Sequence, residues 1–183
     1  MNYHPWQVQD RFFHLETQWL TLMGEHLQPT EGNQLEYWRV EKADSIIIIP
    51  IQNQQLILPP AAYRPGVNQS TLDFPGGRWV QNKSLEQTAH SILQRELGIS
   101  ASNPLDLTPL NSEGWAINSS FSNQKLYGFV ANLEADVVIP PDYIGATYPI
   151  TPTGVQSLLN QLNCLQCRGV LLTWWMAQLL REP

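Results

Sequence analysis

The stretch Ser45-Ile-Ile-Ile-Ile-Pro50 narrows the choice of fold more than any other part of this chain. A continuous β-branched run has no polar alternation, so the strand it forms is buried on both faces. Such a strand needs packing partners above and below it, which points to a sheet covered by helices. Gln52 to Gln55 reads as a turn, with Asn53 suited to it, and Leu56 to Leu58 begins a second strand. Pro59 and Pro60 end this hairpin.

The rest of the chain supplies the other layers. Residues 5–27 carry Trp6, Phe13, Leu15, Trp19, Leu20, Leu22, Met23 and Leu27 in a broadly helical stripe, with Pro5 at the start and Pro29 after the end. The spacing predicts a helix there. Residues 35–43, LEYWRVEKA, alternate as a half-exposed strand. Residues 63–70 read as a loop, and Leu72 to Phe74 as a short strand leading into Pro75-Gly76-Gly77. A helix follows. Ser84 is its N-cap, Gln87 completes a capping box, Leu85, Ala89, Ile92, Leu93 and Leu97 form its apolar stripe, and Gly98 stops it. Residues 105–117 and 125–133 read as strands, and residues 135–152, with several prolines, as an irregular crossing. Residues 153–163 and 169–181 read as helices separated around Cys164-Leu165-Gln166-Cys167. This order predicts an α/β fold with a mixed sheet between helices. Residues 1–33 are expected to be an N-terminal helical extension and residues 34–183 the main domain.

Residues 75–99, PGGRWVQNKSLEQTAHSILQRELGI, resemble the Nudix box of the Nudix hydrolases. The frame is kept at Gly77, Leu93, Glu96, Gly98 and Ile99 without a gap. Four of the polar positions differ: Lys83 stands for the first Glu, Ser91-Ile92 for Arg-Glu, and Arg95 for the first Glu of the final pair. The preceding segment is similar to the ADP-ribose and ADP-sugar pyrophosphatase branch, through Ala62-Tyr63-Arg64 and Asp73-Phe74-Pro75-Gly76-Gly77. The resemblance covers about residues 35–181. It implies a Nudix-type α/β/α sandwich, a homodimer, and a nucleoside-diphosphate ligand of the ADP-ribose kind.

Family members cleave a phosphoanhydride with water and Mg²⁺ or Mn²⁺, hard cations that take oxygen ligands. The box places three glutamates on one helix face, because positions three and four apart are neighbours. Here that face shows Ile92, Arg95 and Glu96, so Glu96 is the single candidate for catalysis or metal binding. Arg95 repels a cation. The paired change to Lys83 and Ser91 avoids leaving one unpartnered charge. The loop 118–125, NSSFSNQK, offers Gln124 where the resemblance implies a Glu. The expectation is a ligand binder with weak or absent hydrolysis and no cofactor. An active enzyme would need Mg²⁺ held by other carboxylates, such as Asp73, Glu113 or Glu134. A third reading is a non-catalytic interaction module.

The candidate ligand-binding residues are Arg64, Arg95, Tyr63, Trp38, Arg39, Gly76 and Gly77. Arg64 either contacts a phosphate or base through its planar fork, or is a solvated loop cation. Arg95 either binds an anion or pairs with Glu96 or Glu86. Tyr37, Trp38 and Arg39 lie where the resemblance places a dimer strand that sandwiches an adenine; the plainer reading is strand packing. Cys164 and Cys167 read either as a redox pair or half a metal site, or as two cysteines near a helix end; the latter is preferred, since no second CxxC and no histidine ligand spacing exist. Trp174 and Trp175 point to different helix faces, a hint of a partner or dimer contact.

Net charge is −6, which lacks the basic balance that general nucleic-acid affinity rests on. No run approaches the roughly 20 apolar residues of a membrane span. The start, MNYHPWQVQDRFF, is not patterned as a secretory signal. Two cysteines are too few for a disulfide framework, and a cytoplasmic protein is expected.

Overall fold

The computed structural model describes residues 5–100 and 105–180. The chain divides into two compact units, Met1–Asp44 with Ala116–Lys125, and Ser45–Trp115 with Leu126–Pro183.

The first unit is built on an antiparallel sheet of β1 (Gln7–Glu16), β2 (Thr21–Gln28) and β3 (Leu35–Glu41) in that order. The helix expected over residues 5–27 is therefore two strands. The physical reason lies in the register. Shifts between Val8 and Asp10 and between Arg11 and Phe13 insert extra residues into β1. Each shift breaks the period of two, and the apolar spacing drifts toward that of a helix. The turn is fixed by Thr17, whose hydroxyl accepts from the backbone N–H of Trp19 and of Leu20, both at 3.1 Å. At the centre of the sheet sits Glu25, with a side chain 0% exposed. It accepts from Arg11 Nη2 on β1 and Arg39 Nε on β3, each at 2.7 Å. Neighbouring strands thus supply two cations to one buried carboxylate. Gln124, from the returning segment, donates to the Ala43 carbonyl at 2.8 Å.

The second unit carries β4 (Ser45–Gln52), β5 (Gln55–Leu58), β6 (Ala62–Arg64), β7 (Gln69–Thr71), β8 (Gly76–Arg78), α1 (Leu85–Leu97) and β9 (Leu105–Pro109). A two-residue strand β10 (Trp115–Ala116) then precedes β11 (Lys125–Leu133), β12 (Ala146–Pro149), α2 (Pro152–Gln161) and α3 (Leu165–Leu179). Strands β11, β4, β5 and β12 lie side by side, while β9 pairs with β11 and β8 with β4. The β4–β11 pair is parallel, while β9 runs antiparallel to β11 and both β5 and β8 run antiparallel to β4, so the sheet is mixed.

The expectation for Ser45 to Pro50 holds. Ile46, Ile47, Ile48 and Ile49 are all buried. Ile46 and Ile48 join Ala89, Ile92, Leu93 and Leu97 of α1, with Tyr127 and Phe129, in one core. Ile47 and Ile49 point to the opposite face by strand alternation, and α3 also packs on β4. The 53–54 turn has both residues at positive φ.

Three local expectations are corrected. Residues 63–70 form the hairpin β6–β7 rather than a loop. Leu72 to Phe74 is not a strand; Phe74 is buried, and the pairing with β4 is made instead by β8. Residues 105–117 hold two strands, not one.

Candidate functional site

The site is built where α1 meets β8. Sequence chemistry places α1 there in full. Ser84 Oγ accepts from the Gln87 N–H at 3.1 Å, and Gln87 Oε1 accepts from the Ser84 N–H at 2.9 Å, closing the capping box. Gly98 ends the helix at φ 67°, and its N–H donates to the Gln94 carbonyl. Within this frame Lys83 and Ser91 meet, Nζ to Oγ at 3.3 Å. A weak polar contact therefore stands where the resemblance implies a Glu–Arg pair.

Ile92 is 2% exposed and belongs to the core. A Cβ added to Gly77 would come 3.4 Å from its Cδ1 and 3.2 Å from Arg95 Nη2. β8 passes close to the helix here, so a side chain at this position would have to displace the end of Arg95.

Arg95 and Glu96 close this junction. Arg95 Nη2 donates to Glu96 Oε1 at 2.6 Å and to the Gly76 carbonyl at 3.0 Å. Glu96 Oε2 accepts from the Gly76 N–H at 3.2 Å. Both carboxylate oxygens thus have protein donors, and one donor is a fixed cation. Among the described residues, the one trio of His, Cys, Asp or Glu whose ligand atoms lie within 4.8 Å of one another is Asp73, Cys164 and Cys167. Glu96 is not part of it, nor are Glu113 and Glu134. The donor set around Glu96 does not fit Mg²⁺, which takes several oxygen ligands in near-octahedral geometry.

A cavity of about 430 Å³ opens beside Gly76 and Gly77, and Arg64, Asp73, Cys164 and Gln166 also line it. That is the size of a small-ligand pocket. Arg64 Nε donates to Asp73 Oδ2 at 2.9 Å, and Thr71 Oγ1 donates to the same oxygen at 2.8 Å. Arg64 is half exposed, so its pairing with Asp73 orients a cation at the cavity without burying it. A larger cavity, about 700 Å³, lies under Trp174 and Trp175 and is lined by no charged side chain. The smaller one is the better candidate, because it carries the glycine turn and the cation. Trp174 is buried, at 4% exposure, and Trp175 is half-buried.

The candidate residues separate into groups. Arg64, Gly76 and Gly77 line one cavity. Arg95 and Glu96 grip the same glycine turn but do not line that cavity. Tyr63 is exposed, gives its hydroxyl to Asn68 Oδ1 at 2.5 Å, and is not among the lining residues. Trp38 and Arg39 belong to the other unit. Trp38 Nε1 donates to Glu36, and its ring packs on Phe12 and Phe13. Arg39 serves Glu25 and Glu41, which is the strand-packing reading. Gln124, with its amide on Ala43, has a backbone-holding role.

The preferred sequence reading of Cys164 and Cys167, two cysteines near a helix end, holds. Helix α3 starts at Leu165, four residues before the expected start, so Cys164 is its N-cap and Cys167 lies in its first turn.

No family model matches the chain, and no curated protein matches it. Among solved structures it is similar to the crystal structure of an ADP compounds hydrolase, at 21% identity and a TM-score of 0.74, over 97% of this chain and 98% of that one. The fold is Nudix-like, a mixed sheet with, among the described residues, three α-helices.

Proposed function

We propose that this chain binds a nucleoside-diphosphate ligand of the ADP-ribose class in the cavity beside Gly76 and Gly77, and hydrolyses it weakly or not at all. The observation that carries this reading is the Arg95 guanidinium lodged between the Gly76 carbonyl and Glu96. It puts a fixed positive charge where the resemblance implies a carboxylate for metal. Electrostatic stabilisation of a cleaved phosphoanhydride would then lack its metal. Arg64, held by Asp73, offers the cavity a planar donor for a phosphate oxygen. The similar ADP compounds hydrolase supports the ligand class through its fold.

Titration calorimetry with ADP-ribose, with and without Mg²⁺, tests this beside an assay for released product. Metal-independent binding without turnover is expected, and Arg64→Ala should weaken it about tenfold or more, the value of a charged hydrogen bond. Metal-dependent turnover would favour an active hydrolase with carboxylates recruited from elsewhere.

A second reading has its own observation. Trp6, Val8, Phe12, Phe13, Leu15 and Trp38 are all exposed in the first unit. An apolar surface of this kind suits a partner protein or the homodimer implied by the resemblance. Sedimentation at several concentrations distinguishes a dimer from a monomer. Among the described residues no helix is long and apolar enough to cross a membrane.

A further inference from the structure

The cavity wall carries chemistry that nucleotide binding does not use. Cys164 is half-buried and lines the cavity. Cys167, 2% exposed, lies behind it one helical turn further on. Its Sγ lies 4.0 Å from Asp73 Oδ1, and the two sulfurs and the carboxylate lie within 4.8 Å of one another. An accessible sulfur at a helix N-terminus, a buried sulfur within reach of it and a carboxylate beside the buried one are the parts of a thiol–disulfide exchange site. We propose that Cys164 and Cys167 form a redox-active dithiol that closes to an intramolecular disulfide by exchange with a small-molecule disulfide entering this cavity.

The electrostatics agree with the geometry. The Cys164 thiol is pulled down to about 6, chiefly by the Cys167 thiol that donates to it, then by the backbone N–H groups of Cys167 and Gln166; burial and the charge of Asp73 act the other way. Those N–H groups act as dipoles, without a formal capping hydrogen bond. The Cys167 thiol is pushed up, first by its Cys164 partner and then by burial. One sulfur is ready to attack, and the other holds its proton until needed.

The steps balance. The Cys164 thiolate, its proton released to solvent, attacks one sulfur of RSSR, that S–S bond breaks, and RS⁻ leaves and takes a proton back from solvent, giving a mixed disulfide on Cys164. Cys167 then passes its proton to the Asp73 carboxylate, and its sulfur attacks the Cys164 sulfur. The second RS⁻ leaves and is protonated through Asp73 and solvent. Two protein thiols are oxidised to one disulfide, and RSSR is reduced to two RSH. A soft metal ion bound by both sulfurs and Asp73 is the competing occupant. It would need both sulfurs deprotonated, and Asp73 Oδ2 is already taken by Arg64 and Thr71.

The test uses the full chain and glutathione disulfide as probe, read by intact mass and thiol titration. The wild type is expected to lose two hydrogens and both free thiols, and to recover them with a dithiol reductant. Cys167→Ser should trap a glutathione adduct on Cys164, and Cys164→Ser should stay unmodified. In the untreated wild type, which needs no variant to fold, iodoacetamide should label Cys164 far faster than Cys167, half-maximally at a pH of about 6. The groups that face Cys164 and can move this midpoint are Cys167 and Asp73, the latter paired with Arg64. Equal labelling of the two cysteines, two stable glutathione adducts, or one equivalent of zinc retained on the purified protein would each overturn the proposal.

Discussion

Glu25 and Glu96 are both gripped by arginine, and they live under different rules. Glu25, in the three-stranded sheet, is fully buried between Arg11 and Arg39. Glu96, at the junction of α1 and β8, is about a quarter exposed and shares one arginine with a backbone carbonyl. The first is a structural centre, since a buried charge without partners is costly. The second is a latch on a glycine turn, in a frame that resembles a metal site. What separates them is the number of donors and the water left at the edge, not the residue type.

The comparison breaks most sharply with a third carboxylate that has no donors at all. Ile92→Glu would put a charge in the α1 core, and we expect a loss of about 4 kcal/mol or more, or failure to fold, by denaturant titration. Glu25→Ala comes next. It leaves two part-exposed arginines facing each other, and we expect a loss of about 3 kcal/mol, since their exposure softens the full cost of a broken buried pair. This contribution depends on pH with a definite sign. The Arg39 hydrogen bond, more than any other contact, holds the Glu25 carboxyl below its usual range. The unfolded chain therefore takes up the proton first. The stabilisation is present above the unfolded value and is lost as pH falls through the lowered folded value. Melting of wild type and Glu25→Gln should differ most near neutrality and converge in acid.

Smaller effects sharpen the other side. Glu96→Gln should cost about 1 kcal/mol, because Arg95 is exposed and rehydrates. A loss as large as that of Glu25→Ala would mean that the latch is a structural centre as well. Arg95→Glu should change stability least, within about 1 kcal/mol. It sets two carboxylates side by side, so Mg²⁺ should raise its melting temperature and leave that of the wild type unmoved. Equal responses to Mg²⁺ would count against the proposed role of Arg95.

Where local chemistry decides, the sequence was legible. Ser84, Gln87, the apolar stripe and Gly98 define α1 from end to end, and the isoleucine run defines β4. Where distant residues decide, it was not. Arg11, Glu25 and Arg39 form a centre across three strands, and the two register shifts in β1 disguise the first of them. Arg64 was picked out, but its orientation comes from Asp73 nine residues on. The nearness of Cys167 to Asp73 spans 94 positions and depends on α3 packing against β4. No short-range pattern reports such a meeting.

The same two shifts in β1 have a bearing on fibre growth. Among the described strands, β1 pairs with β2 alone, so its far edge presents unpaired backbone groups along ten positions, four of them the apolar Val8, Phe12, Phe13 and Leu15. A flat edge of that length is a template for adding strands from other molecules. Each bulge bends and twists the strand, so an incoming straight strand loses register after a few residues. The irregularity that hides β1 from a reader of the sequence also makes it a poor seed for a cross-β stack.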